Sequence, residues 1–272
     1  MSIRYLQSAL DRARFHVSPF LILGDPTPDA SVQLAKSAVA HGASMLEIGF
    51  PYGDPIADGP AIQAADLRAL RGGTSTGRAI ELLSEIRTAC PETPLNLLVY
   101  GNLVHARGYG RFCLDVASAG ASSLLVPDVP LDESGPLRRA CDDAALGHVQ
   151  LVGPLTDDTR LRRMDDATTA FLYLVAHQGV TGARNGVFTP VAELVSRTRA
   201  QIVHPLCLGF GLSQPEHIRR AREAGARIAV VGSHLARVIE KVWEKKEKDR
   251  EARVVKSFTD ALKLLIAAKD AS

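Results

Sequence analysis

The amino-acid sequence predicts an α/β fold, a single (β/α)8 TIM barrel over residues 1–272 with an extra N-terminal helix and a charged C-terminal helix. Three observations favour this fold: eight short apolar runs, amphipathic segments between them, and a length of 272 residues. The runs are almost continuously hydrophobic, which indicates strands buried on both faces, as in parallel sheets. An open doubly wound sheet is the alternative.

The eight predicted strands are rich in Val, Ile and Leu and are bounded by Gly, Pro or Asp. In chain order they are SPFLILGD from Ser18, SMLEIGF from Ser44, PLNLLVY from Pro94, SSLLVPD from Ser122, HVQLVG from His148, AFLYLVA from Ala170, HPLCLGF from His204 and RIAVVGS from Arg227. Segments between them, such as SVQLAKSAVAHG and GRAIELLSEIRTAC, predict helices that end at Gly or Pro.

Composition excludes several classes of protein. The formal net charge is +2, so nucleic-acid binding is not indicated, and no window has eighteen uninterrupted apolar residues. The first residues, MSIRYLQSALDRARF, lack the apolar centre of a signal peptide. The four cysteines are far apart and form no CxxC motif, which predicts reduced thiols, no zinc site and a cytoplasmic protein. The mixed-charge segment from Glu240 to Lys256 predicts an exposed helix.

In a (β/α)8 barrel the chemistry takes place at the C-terminal ends of the strands. The residues at these ends are Asp25, Glu47, Tyr100, Asp128, Tyr173 and the glycines that follow Cys207 and Val231. Every lysine except Lys36 lies at or beyond Lys241, so no strand end offers an amine for a Schiff base or for pyridoxal phosphate. The histidines show no HExxH spacing, so a metal site is not predicted. Acid–base catalysis by carboxylates remains.

Two carboxylates lie in or just after the second strand. Glu47 lies within an apolar run, where burial raises the pKa of a carboxyl and prepares it for proton transfer. A core glutamate with a polar partner is an equal alternative. Asp58, in the sequence ADGP, is either a functional carboxylate or an Asx-turn residue. The sequence spacing does not decide between these alternatives.

Glycines after the last two strands predict a phosphate site. GFG at residues 209–211 and VGS at 231–233 follow strands seven and eight, and a helix is expected to begin at Ser233. Backbone N–H groups of glycines and a helix N-terminus together bind anions. Gly182 adds a further candidate N–H group. Tight turns without a ligand are the alternative.

Two connections are unusually long. The connection from Pro51 to Glu92 exceeds a single helix, so PYGDPIADGP is expected to form an ordered excursion over the barrel mouth. The glycine-rich segment from His177 to Pro190 follows strand six, where barrel enzymes often have a mobile lid. Each segment could equally be a simple surface loop.

The motifs PFLILGDP, LEIGFPYGDPIADGPAIQ, LLVYGNLV, LLVPDVPLDE, GVTGAR, LGFGLS and VVGS together resemble the tryptophan synthase α subunit family, in order and nearly end to end. This resemblance implies a (β/α)8 barrel that cleaves indole-3-glycerol phosphate to indole and glyceraldehyde 3-phosphate without a cofactor of its own. It also implies a β subunit, a pyridoxal phosphate enzyme that receives the indole within an allosteric α2β2 complex.

The resemblance implies a role for individual residues. Glu47 matches the general acid–base group, which protonates the indole ring carbon that carries the side chain and helps to deprotonate the glycerol hydroxyl. Asp58 matches the carboxylate that accepts a hydrogen bond from the indole N–H. The substrate-binding positions comprise the indole pocket, a tyrosine near the glycerol, a lid residue that touches Asp58, and the phosphate site. In that order they are Phe20, Leu98, Leu125, Tyr173 and Phe210; Tyr100; Thr181; and Gly182, Gly211, Gly232 and Ser233.

The resemblance also implies that Asp54 and Pro55 form a contact with the β subunit. Tyr52 and Gly53 stand where the family commonly has Phe and Ser, and AHQGVTG departs from the usual approach to the lid. These departures bear on partner coupling, so a stand-alone lyase that releases free indole is an alternative. A non-catalytic phosphate-binding subunit is a second alternative, and another phosphate-binding barrel, such as an isomerase, is a third.

Overall fold

Eight parallel strands form a closed barrel in chain order, and β8 pairs with β1. The computed structural model describes residues 3–13, 15–175, 188–209 and 211–269. The strands are His16–Ile22 (β1), Leu46–Gly49 (β2), Leu95–Leu98 (β3), Ser123–Leu125 (β4), Gly147–Val152 (β5), Leu172–Val175 (β6), Leu206–Gly209 (β7) and Ile228–Val231 (β8). Each predicted apolar run overlaps one of them. The prediction of a (β/α)8 barrel is therefore confirmed, and the open-sheet alternative is wrong.

Twelve α-helices lie within the described residues. They are Ile3–Arg12 (α1), Pro28–Ala40 (α2), Pro60–Arg71 (α3), Thr76–Ala89 (α4), Gly101–Arg107 (α5), Tyr109–Ser118 (α6), Gly135–Asp143 (α7), Asp158–Asp166 (α8), Phe188–Arg199 (α9), Pro215–Glu223 (α10), Ser233–Trp243 (α11) and Arg250–Ala267 (α12). The predicted N-terminal helix corresponds to α1. None of these described helices is long and apolar enough to cross the hydrocarbon core of a membrane.

Local sequence signals explain where several helices begin. The side chains of Thr27, Ser75 and Asp157 accept hydrogen bonds from backbone N–H groups in the first turns of α2, α4 and α8. These N-caps satisfy donors that have no partner within the helix. Proline occupies the first turn of α3, α7 and α10, where its missing N–H costs nothing.

The apolar core has two parts, because alternate strand residues point to opposite faces of the sheet. One cluster joins strand residues such as Leu46, Ile48 and Leu97 to the surrounding helices. The other contains Phe20 and Tyr173 together with residues of α1 and α3. The second cluster includes several of the predicted pocket positions, so the predicted pocket is lined in part by the apolar core.

The long connection after β2 contains two helices, α3 and α4, preceded by an irregular loop over residues 50–59. This arrangement agrees with the prediction that the connection exceeds one helix. Pro60 begins α3 directly after Gly59. The loop thus runs from the C-terminal end of β2 to the start of α3, and it carries Asp58 at the barrel mouth.

The segment from Glu240 to Lys256 is not one exposed helix, and this prediction is wrong. Helix α11 ends at Trp243 and α12 begins at Arg250, with positive φ angles at Lys246 and Asp249 between them. The guanidinium of Arg250 lies 3.6 Å from the centre of the Trp243 ring. Helix α12 packs against α2 and α11, and it buries one face that includes Phe258 and Leu262. Charge spacing alone does not reveal this break between the two helices.

Candidate active site

Glu47 and Asp58 line the same cleft at the C-terminal ends of the strands. Glu47 lies on β2, where it pairs in register with Phe20 of β1 and Asn96 of β3, and its side chain is buried. Asp58 belongs to the loop that follows β2 and is also buried. The structure therefore brings together the two carboxylates that the sequence singled out.

The cleft contains about 540 Å³ of space that no protein atom fills, part of it open to solvent. Its lining combines apolar side chains, two carboxylates, and glycine and serine backbone. The described residues that line it are Phe20, Glu47, Asp58, Ile62, Leu98, Tyr173, Gly211, Leu212, Ser213, Val230, Gly232, Ser233, His234 and Arg237.

Glu47 has a tyrosine hydroxyl as its hydrogen-bond partner. The Tyr173 hydroxyl donates a hydrogen bond of 3.2 Å to Glu47 Oε2. Burial raises the pKa of Glu47 to about 8, the hydrogen bond from Tyr173 opposes that shift, and the nearby charge of Asp58 adds to it. At pH 7 the Glu47 side chain is therefore mostly protonated, so it can donate a proton.

Asp58 has a different environment. The Tyr100 hydroxyl donates a hydrogen bond of 2.7 Å to Asp58 Oδ2. Burial raises the pKa of Asp58 to about 6, and the Tyr100 hydrogen bond opposes the shift. Asp58 is therefore mostly ionised at pH 7. Two carboxyls whose environments give them different protonation states suit acid–base catalysis.

The apolar part of the cleft is formed mainly by Phe20, Leu98, Ile62 and Val230. Leu125 is buried in the same inner cluster but is not among the residues that line the cleft. Gly209 is required beside this wall, because a Cβ atom there would overlap the Tyr173 hydroxyl. A side chain at that position would displace Tyr173 and with it the hydrogen bond to Glu47.

The opposite corner of the cleft presents backbone groups. Gly211 has a φ angle of +82° and is exposed, while Gly232 is the N-cap of α11 and has no side-chain cap. Helix α11 begins at Ser233, as predicted. The first backbone N–H groups of a helix have no partner within it, so this corner suits an anion.

His234 and Arg237 extend this corner, and neither residue was predicted from the sequence. Both residues line the cleft from the first turns of α11. Arg237 follows Ser233 by four residues, which places the two on the same side of the helix. A basic residue one turn beyond a glycine N-cap is the sequence signal that could have revealed it.

The other strand-end carboxylates have structural partners. Asp25 accepts two hydrogen bonds from the guanidinium of Arg68, of 2.7 and 3.1 Å. Asp128 accepts a hydrogen bond of 2.8 Å from the backbone N–H of Gly101, in the first turn of α5. Neither residue lines the cleft. Position at a strand end therefore does not by itself indicate a catalytic residue.

Several predicted positions lie elsewhere. Tyr100 contacts Asp58 but is not among the residues that line the cleft. Asp54 is exposed in the single chain, whereas Pro55 is buried within it. Thr181, Gly182 and Phe210 lie outside the described residues, as does residue range 177–187 of the predicted lid. The last three positions of that lid, 188–190, belong to α9.

Comparison with known proteins gives a consistent result. Residues 6–265 match the family model of the tryptophan synthase alpha chain. The alpha chain of Methanothermobacter thermautotrophicus is 40% identical over 221 residues, which cover 81% of this chain and 82% of that protein. The alpha chain of Vibrio cholerae is 38% identical over 245 residues, with 90% and 91% covered.

Solved structures agree with this result. Tryptophan synthase from Mycobacterium tuberculosis has a TM-score of 0.86 and 27% identity, with 99% of this chain and 98% of that chain covered. The tryptophan synthase α2β2 complex from Pyrococcus furiosus, whose structure concerns mutual activation, has a TM-score of 0.84 and 30% identity, with 93% and 98% covered. Both similarities extend over nearly the whole barrel.

The buried Glu47 carboxyl is expected to lower stability as the pH rises. The pKa of Glu47 is about 8 in the folded chain, whereas its ordinary value is 4.5, so between these values the folded chain retains a proton that the unfolded chain releases. Below pH 4.5 both states are protonated and no cost arises. We therefore expect Glu47→Gln to be more stable than the wild type by an amount that grows from pH 4.5 to pH 8, as measured by denaturant unfolding.

Both Glu47→Gln and the wild type contain the other buried carboxyls. The difference between their free energies of unfolding at each pH therefore removes the contributions of those carboxyls. Glu85→Gln, a change at an exposed residue of α4, is the control and should follow the wild type at every pH. A constant difference between Glu47→Gln and the wild type across this range would contradict the burial of a protonated Glu47.

Proposed function

The chain belongs to the tryptophan synthase alpha chain family, and we propose that Glu47 and Asp58 catalyse its cleavage of indole-3-glycerol phosphate to indole and glyceraldehyde 3-phosphate. One observation supports this assignment above all others. The cleft holds two buried carboxyls, of which Glu47 is mostly protonated at pH 7 and Asp58 mostly ionised. A proton donor and an anion are both available before substrate binds.

Glu47 begins the reaction as an acid. It donates its proton to the indole ring carbon that carries the glycerol side chain, which gives a cationic indolenine. Asp58 accepts a hydrogen bond from the ring N–H, where positive charge develops. Because the Asp58 carboxylate is buried, its attraction for that charge is stronger than it would be in water.

Glu47 then acts as a base. Its carboxylate removes the proton from the glycerol hydroxyl nearest the ring, and the carbon–carbon bond breaks. The bonding electrons return to the indolenine and restore the aromatic indole, while the hydroxyl carbon becomes the aldehyde of glyceraldehyde 3-phosphate. The proton that Glu47 gave in the first step is thus regained in the second, and a pKa of about 8 suits both transfers near neutral pH.

The remainder of the cleft orients the substrate. Phe20 and Leu98 provide apolar walls for the indole ring, and the backbone of Gly211, Gly232 and Ser233 provides the phosphate site. Gly182 is proposed to add a backbone N–H to the phosphate, and Phe210 and Thr181 to complete the pocket and its lid. The phosphate group anchors one end of the substrate so that the ring reaches both carboxyls.

A β subunit is the proposed partner, as in the α2β2 complex of Pyrococcus furiosus. The loop that carries Asp58 also carries exposed Asp54, so contact with a partner at Asp54 can influence the position of Asp58. Pro55 is proposed to support this contact surface from within, since its own side chain is buried. Indole would then pass directly to the partner.

We expect Glu47→Gln to abolish lyase turnover and to leave substrate binding largely intact. The amide keeps the shape of the side chain but transfers no proton, and general acid–base groups contribute about 10²–10⁴-fold in rate. Indole release from indole-3-glycerol phosphate measures turnover, and calorimetry measures binding. Glu85→Gln should match the wild type in both. Turnover by Glu47→Gln within a few-fold of the wild type would remove Glu47 from the mechanism.

Arg237 lines the phosphate end of the cleft, and we expect its guanidinium to donate a hydrogen bond to the substrate phosphate. Arg237→Gln should therefore raise KM for indole-3-glycerol phosphate about tenfold with little change in kcat, because the loss of a hydrogen bond to this charged group weakens binding. The phosphate does not take part in bond cleavage, so ground state and transition state lose the same interaction. Lys241→Gln is the control, since Lys241 lies one turn further along α11 and is exposed. An unchanged KM for Arg237→Gln would exclude its contact with the phosphate.

We expect a saturating cognate β subunit to stimulate indole formation by this chain strongly, and we expect Asp54→Ala to reduce the stimulation. Exposed Asp54 can contact the partner while Asp58 remains in place for basal turnover. Steady-state assays with and without the β subunit provide the measurement. High basal turnover that the β subunit leaves unchanged would instead favour the stand-alone lyase.

A further inference from the structure

The loop over residues 50–59 carries Asp58 without a helix or strand of its own. A backbone hydrogen bond of 3.1 Å from the Asp58 N–H to the Pro55 carbonyl, together with side-chain contacts, therefore determines where the Asp58 carboxylate lies. Gln63 donates a hydrogen bond of 2.8 Å to the Asp58 carbonyl. The Tyr100 hydroxyl accepts a hydrogen bond of 3.0 Å from the Ala57 N–H and donates one of 2.7 Å to Asp58 Oδ2. Tyr100 is thus the residue that fixes the carboxylate itself.

Tyr100 in turn rests on Tyr52. The two rings are stacked, with centres 5.0 Å apart and an angle of 22° between their planes. The Tyr52 N–H donates a hydrogen bond of 3.3 Å to Asp66 on α3, and the Tyr52 hydroxyl accepts one of 2.8 Å from Asn102 on α5. Tyr52 therefore connects the loop to both neighbouring helices as well as to Tyr100.

Of these three interactions, the ring contact is the one that reaches Tyr100. Asn102 is exposed, so water competes for its hydrogen bond with Tyr52. The bond to Asp66 is long for an N–H donor. Tyr100, by contrast, is only 3% exposed, and the Tyr52 ring covers one of its faces. Removal of that ring would leave Tyr100 with space to rotate away from Asp58.

We propose that Tyr52 is a positioning residue for the lyase reaction, whose stacked ring holds Tyr100 and thereby keeps Asp58 where it accepts the indole N–H. The inference rests on the proposed function, because it assigns Tyr52 to that same site. Tyr52 is not among the described residues that line the cleft, so it acts through Tyr100 and not on the substrate. Its effect belongs to the chemical step, whereas the phosphate corner and the apolar walls determine substrate affinity.

The first test compares variants of the isolated full chain in steady-state indole release. Tyr52→Ala is expected to lower kcat about tenfold or more with little change in KM, since a small misplacement of a catalytic group is costly. Tyr52→Phe keeps the ring and loses only an exposed hydrogen bond, so it should stay within a few-fold of the wild type. Tyr109→Ala is the matched control, because Tyr109 is also half-buried and lies against another ring, that of His105.

Thermal unfolding of each variant separates positioning from general destabilisation. Tyr52→Ala and Tyr109→Ala each lose one partly buried aromatic ring, so we expect a comparable fall in the unfolding midpoint of both variants. Only Tyr52→Ala should lose kcat. If Tyr52→Ala is unfolded at the assay temperature, Tyr52→Leu replaces it with the same expectation, because leucine fills space but cannot stack as a tyrosine ring does.

A double-mutant cycle tests the route through Tyr100. Tyr100→Phe removes the hydroxyl that bonds Asp58, so Tyr52→Ala should add little further loss of kcat in that background. Fully additive losses would overturn the inference, as would equal kcat values for Tyr52→Ala and Tyr109→Ala. If the wild type itself shows no lyase turnover, the proposed function fails and the inference fails with it. Loss confined to Tyr52→Ala, with an active wild type, supports both.

Discussion

The hydrogen bond between Tyr173 and Glu47 is the interaction on which the site depends. It joins β6 to β2, which lie on opposite sides of the barrel because strands pair in chain order around a closed sheet. Closure brings the two side chains together across the interior and removes Glu47 from water. The raised pKa of Glu47 is therefore a consequence of the fold as a whole and not of a single neighbouring residue.

The contrast between Glu47 and Asp25 shows how the hydrogen-bond partner distinguishes a carboxyl with a structural role from one that is available for chemistry. Both are buried, Glu47 within β2 and Asp25 just beyond the end of β1. Asp25 is held by the two hydrogen bonds from Arg68, and Arg68 also forms an ion pair with Glu240 of α11. That cluster ties β1, α3 and α11 together. Glu47 has a neutral tyrosine instead, and its proton remains available for chemistry. The charged guanidinium beside Asp25 and the neutral hydroxyl beside Glu47 are the difference between the two sites.

The sequence predicted much of this arrangement, because strand periodicity and glycine turns are local properties. It located eight strands, placed Glu47 inside one, and identified the start of α11 at Ser233. It did not predict the break between α11 and α12, since the charge spacing from Glu240 to Lys256 continues the helical pattern. That break depends on packing of α12 against α2 and α11, which are tertiary contacts.

Tertiary contacts also explain why the sequence did not predict which residues hold Asp58 in position. Tyr52, Asp66 and Tyr100 are separated by many residues and carry no shared periodicity, yet one loop brings them together. Asp66 shows the cost of this arrangement, because burial and the nearby charge of Asp58 raise its pKa to about 8. Each ionised carboxyl near the site raises the cost of ionising another. A protonated Asp66 therefore lets Asp58 keep its charge, so α3, which follows the loop, limits the negative charge around the anion.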